Sequence, residues 1–259
     1  MPEEQTMKRL AFRYGRFVAI AATAGLIGLQ PATTPMQFAA DPGDPVERVT
    51  TRDVAASNQK VAMAHSALRA MWTSHFRGLG ERFAMPGLVR YRGGAPSACG
   101  IMRQGNAGYC PGDNTIYFDE IFVAAQAKRA ARELGTDGDM AAVGIIAHEV
   151  GHAVAFQLGY HSRITYANES TADCLAGAFA EEAGRNGSLE QGDLEEAFFG
   201  MEAAGDPEPR LTGDQRIDNR ILRAHARMSH GTREQRTANF RRGLEGGPGA
   251  CIDDFQSLS

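Results

Sequence analysis

His148 and His152 stand four residues apart in His148-Glu149-Val150-Gly151-His152. On an α-helix that spacing puts both imidazoles on one face, one turn apart. Two nitrogen donors on one rigid element can share a single zinc ion. Glu149 follows the first histidine, where its carboxylate can reach a water on that ion. A metal-bound water with a carboxylate base beside it is the apparatus of metal-assisted hydrolysis, and H-E-x-x-H is the spacing zinc proteases use for it.

An element must hold these residues rigid, and the flanking sequence predicts one. From Asp139 to Gly159 the chain is rich in alanine, and Val143, Ile146, Val150, Val154 and Leu158 recur at helical spacing. Asp137 or Asp139 is expected to cap the start and Gly159 to end the helix. The segment is apolar nearly all round, so the helix should be buried. Gly151 inside it lowers helix propensity, which points to another backbone passing close by.

A catalytic zinc ordinarily takes three protein ligands and leaves a place for water. Glu169 is the candidate third ligand. It lies in Asn168-Glu169-Ser170-Thr171-Ala172-Asp173-Cys174-Leu175-Ala176-Gly177, a second predicted helix running to about residue 182. Asp173 is one turn further along the same face and is expected to orient a histidine ligand. The segment is otherwise small and apolar, unusual company for two solvated carboxylates.

At this point the chain resembles a known family. H-E-V-G-H followed by E-x-x-A-D-C-L-A-G is similar to the bacterial neutral zinc metallopeptidases, a gluzincin-like group. Further matches are Ser97-Ala98-Cys99-Gly100, Tyr109-Cys110-Pro111-Gly112-Asp113, Ile116-Tyr117-Phe118-Asp119, residues 192–197, and Ser229-His230-Gly231-Thr232-Arg233-Glu234-Gln235-Arg236 with Phe240-Arg241-Arg242-Gly243. The likeness spans roughly residues 60–255. Many members carry a second histidine after the motif, where this chain has Ala153; that position is not a ligand. The resemblance implies a zincin-like domain, one catalytic Zn²⁺ and a peptide or protein substrate.

The remaining composition fits such a domain behind a leader. The 43% apolar and 22% charged content is that of a globular protein, and the net charge of −4 argues against nucleic acid as a partner. Lys8, Arg9, Arg13 and Arg16 precede an uncharged stretch over residues 17–29, short for a membrane span and suited to a secretory signal. Small residues at Ala32 and at Ala39-Ala40 are possible cleavage points. Residues 1–40 are therefore read as a signal peptide or N-terminal membrane anchor, 41–52 as a linker and 53–259 as the catalytic domain. An extracytoplasmic location, secreted or periplasmic, follows. Four cysteines without a C-x-x-C suit two disulfides. Cys99 and Cys110 flank a glycine-rich loop and are paired by proximity, which leaves Cys174 with Cys251.

Other elements follow from periodicity. Helices are expected at 53–79, 119–134, 188–204, 213–228 and 232–244, and short strands at 88–91 and 115–118. The fold class is α+β, mostly helical and zincin-like, with a small β-sheet and an active-site helix. His65 and His75 read as packing or surface residues. Residues 115–118 are the candidate edge strand for a substrate to extend. Glu149 is the expected general base and His230 the candidate oxyanion donor, with Tyr117, Tyr160 and Tyr166 as alternatives. A carboxylate-bridged di-metal centre needs two E-x-x-H segments, and Glu149–His152 is the one present. The alternative function is a non-catalytic zinc-containing extracytoplasmic binding module; a zinc hydrolase of non-peptide amides is a weaker one.

Overall fold

The computed structural model describes residues 36–39 and 48–258. The stretch read as signal peptide or anchor, apart from residues 36–39, and most of the linker lie outside these residues. The chain runs β1 (Met36–Ala39), α1 (Thr51–Gly78), β2 (Gly87–Tyr91), β3 (Gly94–Ser97), β4 (Gly100–Arg103), β5 (Asn106–Cys110), β6 (Thr115–Asp119), α2 (Glu120–Leu134), α3 (Asp139–Gln157), α4 (Thr165–Arg185), α5 (Asp193–Ala203), α6 (Gln215–Met228) and α7 (Arg233–Gly246). Two short 3₁₀ turns close it. The domain is α+β and mostly helical, as the periodicity predicts.

The sheet order is β1-β5-β6-β2, with β3 and β4 forming a separate hairpin. β2 runs parallel to β6, whereas β5 runs antiparallel to it. This corrects one expectation. Residues 115–118 belong to β6, which is paired on both sides and offers no edge to a substrate. A second correction concerns residues 99–110, read as a glycine-rich loop. They hold β4 and β5 instead. β5, Asn-Ala-Gly-Tyr-Cys, is buried along its whole length, and such a strand forms because its surroundings pack it, despite weak intrinsic propensity. The sheet also takes one strand, β1, from the stretch read as leader.

α3 is the central element. α1, α2, α4 and α5 pack around it, with β5 beside it, so its residues from Met140 to Ala155 are all buried. That matches a helix apolar on every face. Its start differs from expectation: neither Asp137 nor Asp139 caps it. Gly138 takes the N-cap position at φ 79°, and the buried Glu196 carboxylate of α5 accepts the Gly138 and Met140 N–H groups at 2.8 Å each. A carboxylate from another helix thus satisfies the orphan donors. Gly159, at φ 82°, ends the helix as predicted.

α4 packs on both α3 and α7 through glycines. A Cβ on Gly151 would lie 2.8 Å from Ala172 O, and one on Gly243 would lie 1.7 Å from Cys174 O. Both helix pairs are therefore closer than any larger residue permits. Disulfides join Cys99 to Cys110 and Cys174 to Cys251. The second ties α4 to the C-terminal turns. Bonds of this kind persist in oxidising compartments. Among the described residues no helix is long and apolar enough to cross a membrane.

Candidate metal centre

The contact of Gly151 with Ala172 decides the site. It lets α4 approach α3 until Glu169, three residues before Ala172, faces the two histidines. Glu169 Oε2 lies 3.1 Å from His148 Nε2, and Oε1 lies 3.5 Å from His152 Nε2. One donor atom from each of the three residues falls within 4.8 Å of the others. The expected ligands thus meet, although Glu169 comes from a separate helix.

These residues fit a metal on physical grounds. His152 Nε2 is buried and makes no hydrogen bond among the described residues, a costly state for a polar atom unless something else binds it. Two imidazole nitrogens and a carboxylate oxygen form the donor set of an open zinc site. Without an ion, the same groups satisfy one another electrostatically. Burial opposes ionisation of Glu169, yet His152 and His148 hold its carboxyl well below the usual range. Burial also opposes a charged His148 ring, but the Asp173 and Glu169 carboxylates outweigh it and lift its pKa to about 9.

Asp173 lies where the sequence puts it, one turn after Glu169, with Oδ1 2.9 Å from His148 Nδ1. Engaging Nδ1 turns Nε2 toward the ligand position. Behind it stands a residue that sequence reasoning missed. Arg236 is fully buried and donates from Nη2 to Asp173 Oδ1 at 2.6 Å and from Nε to Oδ2 at 3.2 Å. Nη1 donates to Ala204 O at 3.3 Å. A capping box of Thr232 and Gln235 starts α7 and sets Arg236 on the first turn facing α4. Its segment was visible as a family match, but one arginine among four on a polar helix carries no sign of burial.

Glu149 sits next to the ligands and is wholly buried. Its Oε2 accepts the Tyr109 backbone N–H of β5 at 2.7 Å, while Oε1 has no hydrogen-bond partner among the described residues. Burial pushes its carboxyl pKa up, and the two histidines pull the other way. Tyr109 was quoted only as part of a matching segment; its backbone role has no sequence signature.

His230 precedes α7 and is half-buried. Its backbone N–H donates to Asp206 Oδ2 at 2.6 Å, and its Nδ1 lies 3.6 Å from the same oxygen. The bond to Asp206 raises its pKa against burial, and the Glu169 charge adds to this. Gly231, beside it, packs on Tyr166 in the first turn of α4. Two of the other oxyanion candidates have hydroxyls engaged elsewhere. Tyr117 donates its hydroxyl to Asp113 at 2.9 Å, and Tyr160 is exposed, with its hydroxyl 3.5 Å from Asp254. His65 and His75 stay away from the centre: His65 contacts Pro86 O, and His75 stacks near Trp72 and Phe255.

Comparison with known proteins agrees with this geometry. Residues 18–255 match the family described as "Putative neutral zinc metallopeptidase". The chain belongs to that family. It is 34% identical to the uncharacterized protein YpfJ of Escherichia coli strain K12, over 82% of this chain and 78% of that protein. The YpfJ protein of Escherichia coli O6:H1 matches to the same extent. No solved structure matches the chain. A zinc metallopeptidase family and an open N₂O donor set name the same cofactor, Zn²⁺, for the cluster of His148, His152 and Glu169.

Proposed function

We propose that the protein hydrolyses peptide bonds, with His148, His152 and Glu169 as zinc ligands and Glu149 as general base. The observation that carries the reading is the Glu149 carboxylate. One oxygen is anchored on Tyr109, and the other is unspent beside three converging donor atoms. A binding module would have no use for such a group.

Zinc, when bound, supplies Lewis acidity to a water and to the scissile carbonyl. The chain's own residues do the rest. Tyr109 N–H fixes the Glu149 carboxylate. Its free Oε1 takes a proton from the attacking water and passes it to the leaving amine. Asp173, backed by Arg236, holds His148 with Nε2 toward the ligand position. His230, kept basic by Asp206, donates to the carbonyl oxygen as negative charge develops there. The domain works outside the cytoplasm, which accords with its two disulfides.

The test is an unbiased peptide library incubated with the zinc-loaded full chain, with a chelated and a zinc-restored sample alongside, read by mass spectrometry. Cleavage that disappears on chelation and returns with zinc is expected. No cleavage, even with the strand described below displaced, turns the reading toward a non-catalytic zinc-binding module. Within that assay, His230→Ala should lower kcat by about 10²-fold while zinc stoichiometry is unchanged. Parent-like turnover would remove His230 from the mechanism.

A further inference from the structure

We propose that the outer edge of β5 is the dock for an extended peptide substrate, and that residues 36–39 of the chain itself occupy that dock and hold the site closed. The inference rests on the peptidase reading and extends it to the substrate's conformation and to regulation.

The argument starts at Tyr109. Its backbone N–H is aimed at Glu149, so this strand edge borders the reacting bond. The opposite edge of β5 is taken by β6. A substrate lying beside the base must therefore pair with the outer edge of β5, and a polypeptide in extended form can do so through its backbone whatever its side chains. That edge is not vacant. β1 lies on it antiparallel, with Met36 opposite Tyr109, Gln37 opposite Gly108, Phe38 opposite Ala107 and Ala39 opposite Asn106. The strand begins opposite Tyr109, whose N–H holds Glu149, and it also lies against α3, the helix of the two histidines.

The centre beneath is closed. His148 and Glu149 are 0% exposed, and His152 and Glu169 are 1% exposed. No scissile carbonyl reaches them until something moves. β1 is suited to be that element. It is four residues long, pairs among the described residues with β5 alone, and precedes α1 in the chain. Few ladder hydrogen bonds hold it, so a substrate strand can compete for the same backbone groups. The candidate leader cleavage points give the arrangement a consequence. A cut after Ala40 detaches β1 from the domain, whereas a cut after Ala32 keeps it.

The test uses the zinc-loaded full chain, its Gln37→Pro/Phe38→Pro variant, and a fluorescent peptide with the sequence of residues 33–40. Proline has no N–H for the ladder, so the variant should release the edge. A tenant present nine-tenths of the time lowers apparent affinity about tenfold. The peptide should therefore bind the variant about tenfold more tightly than the parent, by anisotropy. Amide exchange at Ala107, whose N–H faces the same edge as that of Tyr109, should quicken in the variant and slow again with peptide. Peptide-library turnover should rise by a similar factor. A second form, cut after folding at a specific protease site inserted between Gly43 and Asp44, covers the case in which the proline variant does not fold. Equal binding to parent and released forms, or binding to neither, overturns the proposal. Tight binding to the released forms without any cleavage leaves the dock standing and removes the peptidase reading instead.

Discussion

Glu149→Gln is expected to lower peptide turnover by about 10²–10⁴-fold, the range for loss of a positioned general base, with zinc content at the parent level. The two expectations have separate causes. Glu149 is not among the three converging donors, so ion binding does not depend on it. Its amide replacement keeps an oxygen to accept the Tyr109 N–H, and the pocket keeps its shape, because the two side chains are nearly isosteric. What is lost is a group able to accept a proton from water. Burial already pushes the Glu149 pKa upward against the pull of the two histidines, the direction that makes a carboxylate the stronger proton acceptor. Turnover and zinc stoichiometry measured on the same sample decide the matter. A variant that keeps zinc and cleaves within a few-fold of the parent would mean that another group is the base. A variant that loses zinc would mean that Glu149 is a ligand.

The second large effect belongs to Asp173→Ala. Arg236 is 0% exposed and its guanidinium cannot shed its proton. Removing Asp173 leaves that charge buried without its carboxylate, which costs about 3–5 kcal/mol of folding stability. The same substitution frees His148 Nδ1 from the oxygen 2.9 Å away, and loss of such a partner weakens metal binding by about 10–100-fold. Urea unfolding with the disulfides intact, together with zinc titration, measures the two effects. A double variant, Asp173→Ala with Arg236→Met, separates them. Stability should largely return, because no unpaired charge remains, while the zinc affinity should stay low. If Asp173→Ala costs less than about 1 kcal/mol, the buried pair does not have the energetic role assigned to it here.

These effects are graded by sequence distance. The H-E-x-x-H turn, the Glu169–Asp173 face and the limits of α1, α2 and α3 were legible because each depends on contacts within one or two turns. A helix of fixed pitch converts such spacing directly into geometry. Gly151 was legible as a close approach, but not its partner. The Ala172 backbone lies on another helix, and nothing local encodes which helix that is. Arg236 escaped notice for the same reason, since a buried arginine has the same letters around it as a solvated one.

Strands were the weaker part. β6 was expected as a strand over residues 115–118, yet its place inside the sheet was not. A strand's pattern reports which face is buried, while its neighbours are chosen by pairing across long separations. β5 was missed outright, and with it the Tyr109 N–H that anchors Glu149.

By itself, then, the amino-acid sequence pointed to the donor types, the proposed base, the helices that carry them and the cysteine pairing that the structure shows. The tertiary structure alone decided that Glu169 reaches the histidines, that Arg236 backs Asp173, that Tyr109 holds Glu149, and that residues 36–39 lie along the edge of β5. The first group follows from short-range geometry and composition. The second follows from helix and strand contacts between residues far apart in the chain, which form because a Gly151 without a side chain, a buried ion pair and a paired strand edge satisfy one another in three dimensions.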